Sequence, residues 1–213
     1  MTQDLSEPSL VDALTDIASQ AGAAIMRVRK AGSVVRTKAD ASPVTEADDA
    51  AEAIILDGLA RTLPGVTVVS EEAASRGDLP HLPDTFILVD PLDGTREFID
   101  GRDEFTVNIA VVHHGRPLTG IVGAPALETI WRGAAGTGSE RLRVRPGATT
   151  RDASERVALH TRAHQDGPWR AVVSRSHLDP ATEQWLTRFP AITRMDCGSS
   201  VKFCRIAEGK ADV

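Results

Sequence analysis

A short apolar run that stops on acids and a proline constrains this chain more than any other stretch. Phe86-Ile-Leu-Val89 carries the β-branched and aromatic side chains that suit a buried strand. Asp90 follows at once, then Pro91, which cannot donate to a sheet ladder, then Leu92, Asp93 and Gly94-Thr95. The strand is therefore expected to stop at Val89 and the chain to turn, holding Asp90 and Asp93 together where it leaves the core. Two bare carboxylates at close range repel by roughly 4 kcal/mol at an effective dielectric near ~20, which argues for a cation between them. The same D-x-x-D-G spacing also suits an Asp-turn with no ligand.

The ligand chemistry selects the ion. Carboxylate oxygens, the Leu92 backbone carbonyl and the lack of a nearby His or Cys suit Mg²⁺ or Mn²⁺ rather than zinc. Gly94-Thr95 offers backbone N–H groups at the start of a helical turn, an anion site beside the cation. Metal plus anion points to phosphate. A second buried-strand pattern, Val66 to Val69, ends at Ser70-Glu71-Glu72. If the two strands are neighbours, Glu71 joins Asp90 and Asp93; the alternative is an exposed acidic loop, and Glu72 stands either behind the ligands or on a weaker ion.

Other elements frame these acids. Apolar residues recur at helical spacing from Leu10 to Val28, and Gly32 ends that helix. Val34 to Thr37 reads as a short strand, with Lys38 and Asp40 in the loop after it. Thr45 is an N-cap and Asp48, three residues on, the acid of a capping box. Thr106 to Val112 and Pro117 to Val122 flank His113-His114-Gly115-Arg116 as a hairpin, and Glu128 to Arg132 adds a third strand. Apolar periodicity lapses from Gly136 to Glu155, which sets a subdomain boundary: residues 1–145 carry the metal site and residues 146–213 form a smaller α/β unit. Within that unit Val157 to Leu159, Ala171 to Val173 and Ile192 to Met195 read as strands, and Pro180 to Arg188 and Ser199 to Glu208 as helices. Ser174-Arg175-Ser176-His177 leaves a strand end, where ligand loops sit in α/β sheets. Gly198-Ser199-Ser200 opens a helix with Lys202 one turn in, which suits an anion as well as a plain helix cap.

Taken together, Pro43-Val-Thr-Glu-Ala-Asp48, Glu71-Glu72 and Asp90-Pro-Leu-Asp-Gly-Thr95 resemble the inositol monophosphatase superfamily of Mg²⁺-dependent, lithium-sensitive phosphatases. Arg96-Glu-Phe98, Glu104-Phe-Thr-Val-Asn-Ile109, Ser174-Arg-Ser-His177 and Gly198-Ser-Ser-Val-Lys-Phe-Cys204 are more similar to its CysQ-type branch, the 3′(2′),5′-bisphosphate nucleotidases. Several ordered motifs are far more specific than any one of them. The resemblance implies an α/β (α+β) fold, a layered αβαβα sandwich of the inositol monophosphatase and sugar phosphatase type, with the site between its halves. It implies two or three Mg²⁺ on Glu71, Asp90, Asp93 and the Leu92 carbonyl, with Mn²⁺ as a substitute and Li⁺ as an inhibitor. Thr95 and Asp48, with Glu71, would position the attacking water. Asp93, Gly94 and Thr95 would meet the phosphate, and Arg175, Ser176, His177, Ser199, Ser200 and Lys202 the rest of the substrate. In the family a Trp-Asp-x-Ala-Ala motif supplies a further carboxylate after a strand beginning like Ala211-Asp-Val213. That motif is absent here, so the chain is expected to be C-terminally incomplete and to continue past Val213 by several tens of residues.

The expected activity is hydrolysis of 3′-phosphoadenosine 5′-phosphate to AMP and phosphate, a step that serves sulfate assimilation. A broader phosphatase for inositol 1-phosphate or fructose 1,6-bisphosphate shares the metal site. A non-catalytic phosphometabolite-binding regulator is the reading from another class. The net charge of −6 argues against binding a nucleic-acid polymer. No stretch approaches the roughly 18 apolar residues of a membrane span. Cys197 and Cys204 have neither CxxC nor zinc spacing and read as buried thiols of a cytoplasmic protein. A homodimer is compatible with all of this.

Overall fold

The apolar stripe that begins at Leu10 builds the first layer. In the computed structural model, which describes residues 5–32, 35–37, 43–77 and 81–213, α1 spans Pro8–Ala31. Proline occupies its first turn, where a missing N–H costs nothing, and Gly32 follows it at φ +84°. Leu10, Leu14, Ile17, Ala18, Ala21 and Ile25 are all buried on one face. Each large aliphatic side chain so buried contributes about 1.5–3 kcal/mol. A second helix, α2 (Glu46–Thr62), packs beside it with Ala51, Ile55 and Leu59 inward. Before it, β1 (Val35–Thr37) and β2 (Pro43–Thr45) pair antiparallel; Lys38 and Asp40 lie outside the described residues.

Both helices cover one face of a seven-stranded sheet. In order across the sheet these are β3 (Thr67–Ser70), β4 (Thr85–Asp93), β5 (Thr106–His113), β6 (Arg116–Ala124), β7 (Thr129–Ala134), β8 (Gly138–Arg143) and β9 (Glu155–Ala158). Only β3 and β4 are parallel; every other neighbour is antiparallel. Two short helices, α3 (Glu71–Ser75) and α4 (Thr95–Ile99), leave the ends of β3 and β4. The hairpin and the third strand of the meander stand where expected. β8, however, occupies part of the stretch read as lacking periodicity. Only Leu142 of its six residues is buried, so the pattern gave almost no signal. β9 extends the same sheet, and the crossover to the second sheet therefore comes after Ala158.

The second sheet is β10 (Trp169–Ser174) and β11 (Ile192–Cys197), parallel and in register from Trp169 beside Ile192 to Ser174 beside Cys197. The intervening helix α5 (Pro180–Leu186) buries Leu186 against Ala171 and Val173. The last helix, α6 (Val201–Ala207), contacts both β10 and β6 and packs Val201 and Cys204 against Ala124 and Trp131. The layers run α1/α2, large sheet, α6, small sheet and α5, the αβαβα arrangement expected. Beyond α6 the chain turns at Gly209 and runs along β10, with the Val172 N–H donating to the Val213 carbonyl at 2.8 Å.

Candidate active site

The site lies where β3 and β4 leave the large sheet beneath the start of α6. Ser70 sits beside Val89 in the parallel pair, so the next residues, Glu71 and Asp90, emerge at the same level. Asp93 needs a further device. Side chains three apart on a regular strand point to opposite faces. Here Asp90 pairs with Asn108 and Asp93 with Thr106, so three steps on β4 oppose two on β5. The extra residue is a β-bulge, a place where Pro91 is tolerated, and it returns Asp93 to the side of Asp90. The strand thus does not stop at Val89 as expected from the proline; it continues, bulged, to Asp93. Gly94 then takes φ +87° to enter α4, a conformation that side chains rarely adopt.

Glu71, Asp90, Leu92, Asp93, Gly94 and Thr95 line one cavity of about 320 Å³, joined by Ser174, His177, Ser199 and Lys202 from the C-terminal segment. The acids are strongly coupled. Burial, then the charges of Asp93 and Glu71, push the Asp90 carboxyl up to about 8, and Glu71 hydrogen bonds to it. Asp93 is raised too, chiefly by burial, while the Ser200 N–H and the Lys202 ammonium pull the other way. Ser200 N–H donates to Asp93 Oδ2 at 2.6 Å, and the Ser200 hydroxyl reaches Thr106 Oγ1 at 2.8 Å and Asn108 Oδ1 at 2.7 Å. Among the described residues no three His, Cys, Asp or Glu side chains are gathered tightly enough to ligate an ion as they stand. The raised carboxyls are nonetheless the mark of half-buried like charges in want of a cation, and the donors are hard oxygens. Glu71, Asp90, Asp93 and the Leu92 carbonyl therefore fit Mg²⁺.

Asp48 fills its expected place in the capping box, and its second oxygen faces Thr95. Its Oδ2 accepts from the Thr45 N–H and hydroxyl, each at 2.8 Å, closing the capping box of α2. Its Oδ1 faces Thr95 Oγ1 at 3.5 Å, and that hydroxyl also meets the Leu92 carbonyl at 3.1 Å. Asp48 is 1 % exposed, so the acid that starts the helix sits fixed behind Thr95, which lines the cavity.

The residues expected to face the substrate divide. His177, Ser199 and Lys202 line the cavity as expected, with Lys202 Nζ donating to the Ser199 carbonyl at 2.5 Å and Ser199 held at φ +49°. Arg175 and Ser176 do not line it. Arg175 forms a fork with Glu104, and Ser176 Oγ donates to Glu97 Oε1 at 2.5 Å. Ser200 does not line the cavity either, and bonds Asp93 instead. Sequence reasoning missed Ser174, Arg96 and Glu97 on the cavity wall, although Arg96-Glu97 directly follow the acidic turn. Glu72, beside Glu71, is buried at 3 % exposure and is not among the cavity-lining residues. His113 and His114 face Thr85 and Asp84 at the far end of the hairpin.

Known proteins share this architecture. The model of the inositol monophosphatase family matches residues 7–213. The 3′(2′),5′-bisphosphate nucleotidase CysQ of Escherichia coli K12 is 40 % identical over 208 residues, spanning 96 % of this chain and 79 % of the relative. Its counterpart in Salmonella typhimurium is 37 % identical over 207 residues, with the same two coverages. Among solved structures, CysQ from Bacteroides thetaiotaomicron superposes with a TM-score of 0.76 at 33 % identity, covering 98 % of this chain and 80 % of that one. Mycobacterium tuberculosis SuhB shares the fold, with a TM-score of 0.72 at 22 % identity over 97 % of this chain and 76 % of that one. The sandwich, the bulged acidic strand and these matches agree: the chain belongs to the inositol monophosphatase family.

Proposed function

We propose that this protein is a Mg²⁺-dependent phosphatase that hydrolyses 3′-phosphoadenosine 5′-phosphate to AMP and phosphate. The observation that carries the reading is the convergence of Glu71, Asp90 and Asp93 on one cavity with Thr95 at its wall and Asp48 behind Thr95. The nucleotide assignment draws on the likeness to proteins named as bisphosphate nucleotidases. The acids and the Leu92 carbonyl would hold two or three Mg²⁺, with Li⁺ as an inhibitor. When bound, the metal supplies Lewis-acid chemistry, lowering the pKa of water and offsetting charge on phosphate oxygens.

The chain's own residues do the rest. Thr95 Oγ1 and Asp48 Oδ1 orient the attacking water in line with the scissile P–O bond, and Asp48 accepts its proton. Lys202 and His177 meet the anionic substrate from the opposite wall. Asp48 is buried and already bonded through its other oxygen, so it needs no reorganisation at the moment of reaction. The two cysteines are buried and unpaired, which fits a reducing cytoplasmic setting. Among the described residues no helix is long and apolar enough to cross a membrane.

Phosphate release with Mg²⁺ tests the proposal on adenosine 3′,5′-bisphosphate, inositol 1-phosphate and fructose 1,6-bisphosphate. A kcat/KM at least about tenfold higher for the adenosine bisphosphate is expected. Comparable efficiencies on all three would replace the nucleotidase by a broad sugar phosphatase, and no turnover of any would leave a binding protein.

A further inference from the structure

Glu104, two residues before β5, is absent from the cavity wall yet has partners on both loops that form its far side. Its carboxylate takes Arg175 in a fork, Nε to Oε2 at 3.1 Å and Nη2 to Oε1 and Oε2 at 3.2 and 3.0 Å. The same Oε2 accepts the Gly198 N–H at 2.9 Å. Arg175 also donates to the Asp196 carbonyl at 2.8 Å, which ties the exits of β10 and β11 to each other. The Glu104 backbone is wedged as tightly as its side chain. A Cβ at Gly198 would stand 2.8 Å from the Glu104 carbonyl oxygen, and one at Gly94 would stand 3.1 Å from it.

We propose that Glu104 is a positioning residue that seats both substrate-facing loops, 174–177 and 198–202, against the acidic turn. The inference rests on reading the cavity as a phosphatase site. Arg175 lies between Ser174 and His177, which both line the cavity, so anchoring its guanidinium fixes how those two groups face the substrate. Gly198 precedes Ser199, whose left-handed backbone is costly for a non-glycine residue and persists only when its surroundings impose it. The Glu104 bond to Gly198 N–H is one such constraint. Ser200 has separate ties to Thr106 and Asn108, so Asp93 stays in place without Glu104. The effect of Glu104 therefore falls on substrate placement rather than on the metal-binding acids. A partly exposed ion pair of this kind contributes little to global stability.

The test uses the full chain with Glu104→Ala, Glu104→Gln and Arg175→Ala. In the free protein, Glu104→Ala should speed amide exchange in both loops by about tenfold while leaving core strands protected. With Mg²⁺, KM for adenosine 3′,5′-bisphosphate should rise about tenfold with kcat within about threefold, and KM for p-nitrophenyl phosphate, which has no nucleoside to place, should change less than about twofold. Arg175→Ala should reproduce the KM rise, the double variant should be no worse than Glu104→Ala, and Glu104→Gln, which keeps an acceptor for Gly198, should fall between. Unchanged exchange in both loops, or equal KM rises on both substrates accompanied by a fall in Tm, overturns the proposal. If Glu104→Ala does not fold, Glu104→Gln and Arg175→Ala decide by the same readouts. A wild type that does not hydrolyse the bisphosphate removes the functional reading, while loop exchange still judges the tether.

Discussion

Replacing Asp90 by Asn should stabilise the metal-free protein at alkaline pH while removing its activity. Asp90 has an ordinary value of 3.8 and is pushed up to about 8 in the fold by burial, Asp93 and Glu71. Below the unfolded value both states carry the proton and there is no effect. Between 3.8 and about 8 the unfolded chain gives up the proton that the folded chain keeps, so stability falls as pH rises, and the cost is constant above that window. At ~1.4 kcal/mol per pH unit the ceiling is about 6 kcal/mol. Asp90 is half-buried, and residual solvent at the cavity mouth reduces this to about 2–3 kcal/mol. For a chain of this size that is roughly 5–10 °C in Tm. Thermal unfolding with excess chelator should therefore show Asp90→Asn melting above wild type at pH 8 and close to it at pH 5. Added Mg²⁺ should raise the wild-type Tm and leave the variant's nearly unchanged. A variant that melts at or below wild type at pH 8 in chelator would refute the claim that the cavity stores unfavourable charge.

Three further outcomes are expected. Thr95→Ala should lower kcat by about 10²-fold without moving Tm, whereas Asp48→Ala should lower kcat similarly and also cost about 1 kcal/mol through the lost capping box; equal Tm values for the two would dissociate Asp48 from the helix start. Gly198→Ala should destabilise by about 1–3 kcal/mol, because its Cβ would stand 2.7 Å from Glu97 Cγ and 2.8 Å from a backbone carbonyl that cannot swing aside; urea denaturation that matches wild type would show that the loop can yield. Burial pushes the Cys204 thiol up to about 12 and raises Cys197 as well, so neither should react with a disulfide reagent at pH 8 until the chain unfolds, and rapid labelling of the native protein would contradict the packing of α6.

Much of the site was legible because its chemistry is local. The capping box of Thr45 and Asp48 spans three residues, and the acids of Glu71 and Asp90 follow directly on apolar runs whose strand character is plain. What the pattern could not carry was the bulge at Pro91 and Leu92. A proline after an apolar run reads as a stop, and only pairing with β5 shows that the strand absorbs an extra residue and goes on. β8 escaped for a related reason: an outlying strand that buries one residue in six leaves no alternation to read. The motif containing Arg175 and Ser176 was correctly seen to leave a strand end, yet which of its four side chains face the cavity depends on Glu104 and Glu97, more than seventy residues earlier.

The sequence by itself determined most of the helices and strands and the hard-oxygen character of the clustered acids, because helix periodicity, strand composition and carboxylate spacing are properties of neighbouring residues. Tertiary structure alone decided three things. It set Glu71 level with Asp90 through the parallel register of β3 and β4, brought Asp93 to the same side through the bulge, and closed the cavity with loops that Glu104, Glu97 and Asp93 hold from the other half of the chain. The reason is that strand register and side-chain partner choice are settled by contacts between segments far apart in the chain, which no local pattern encodes.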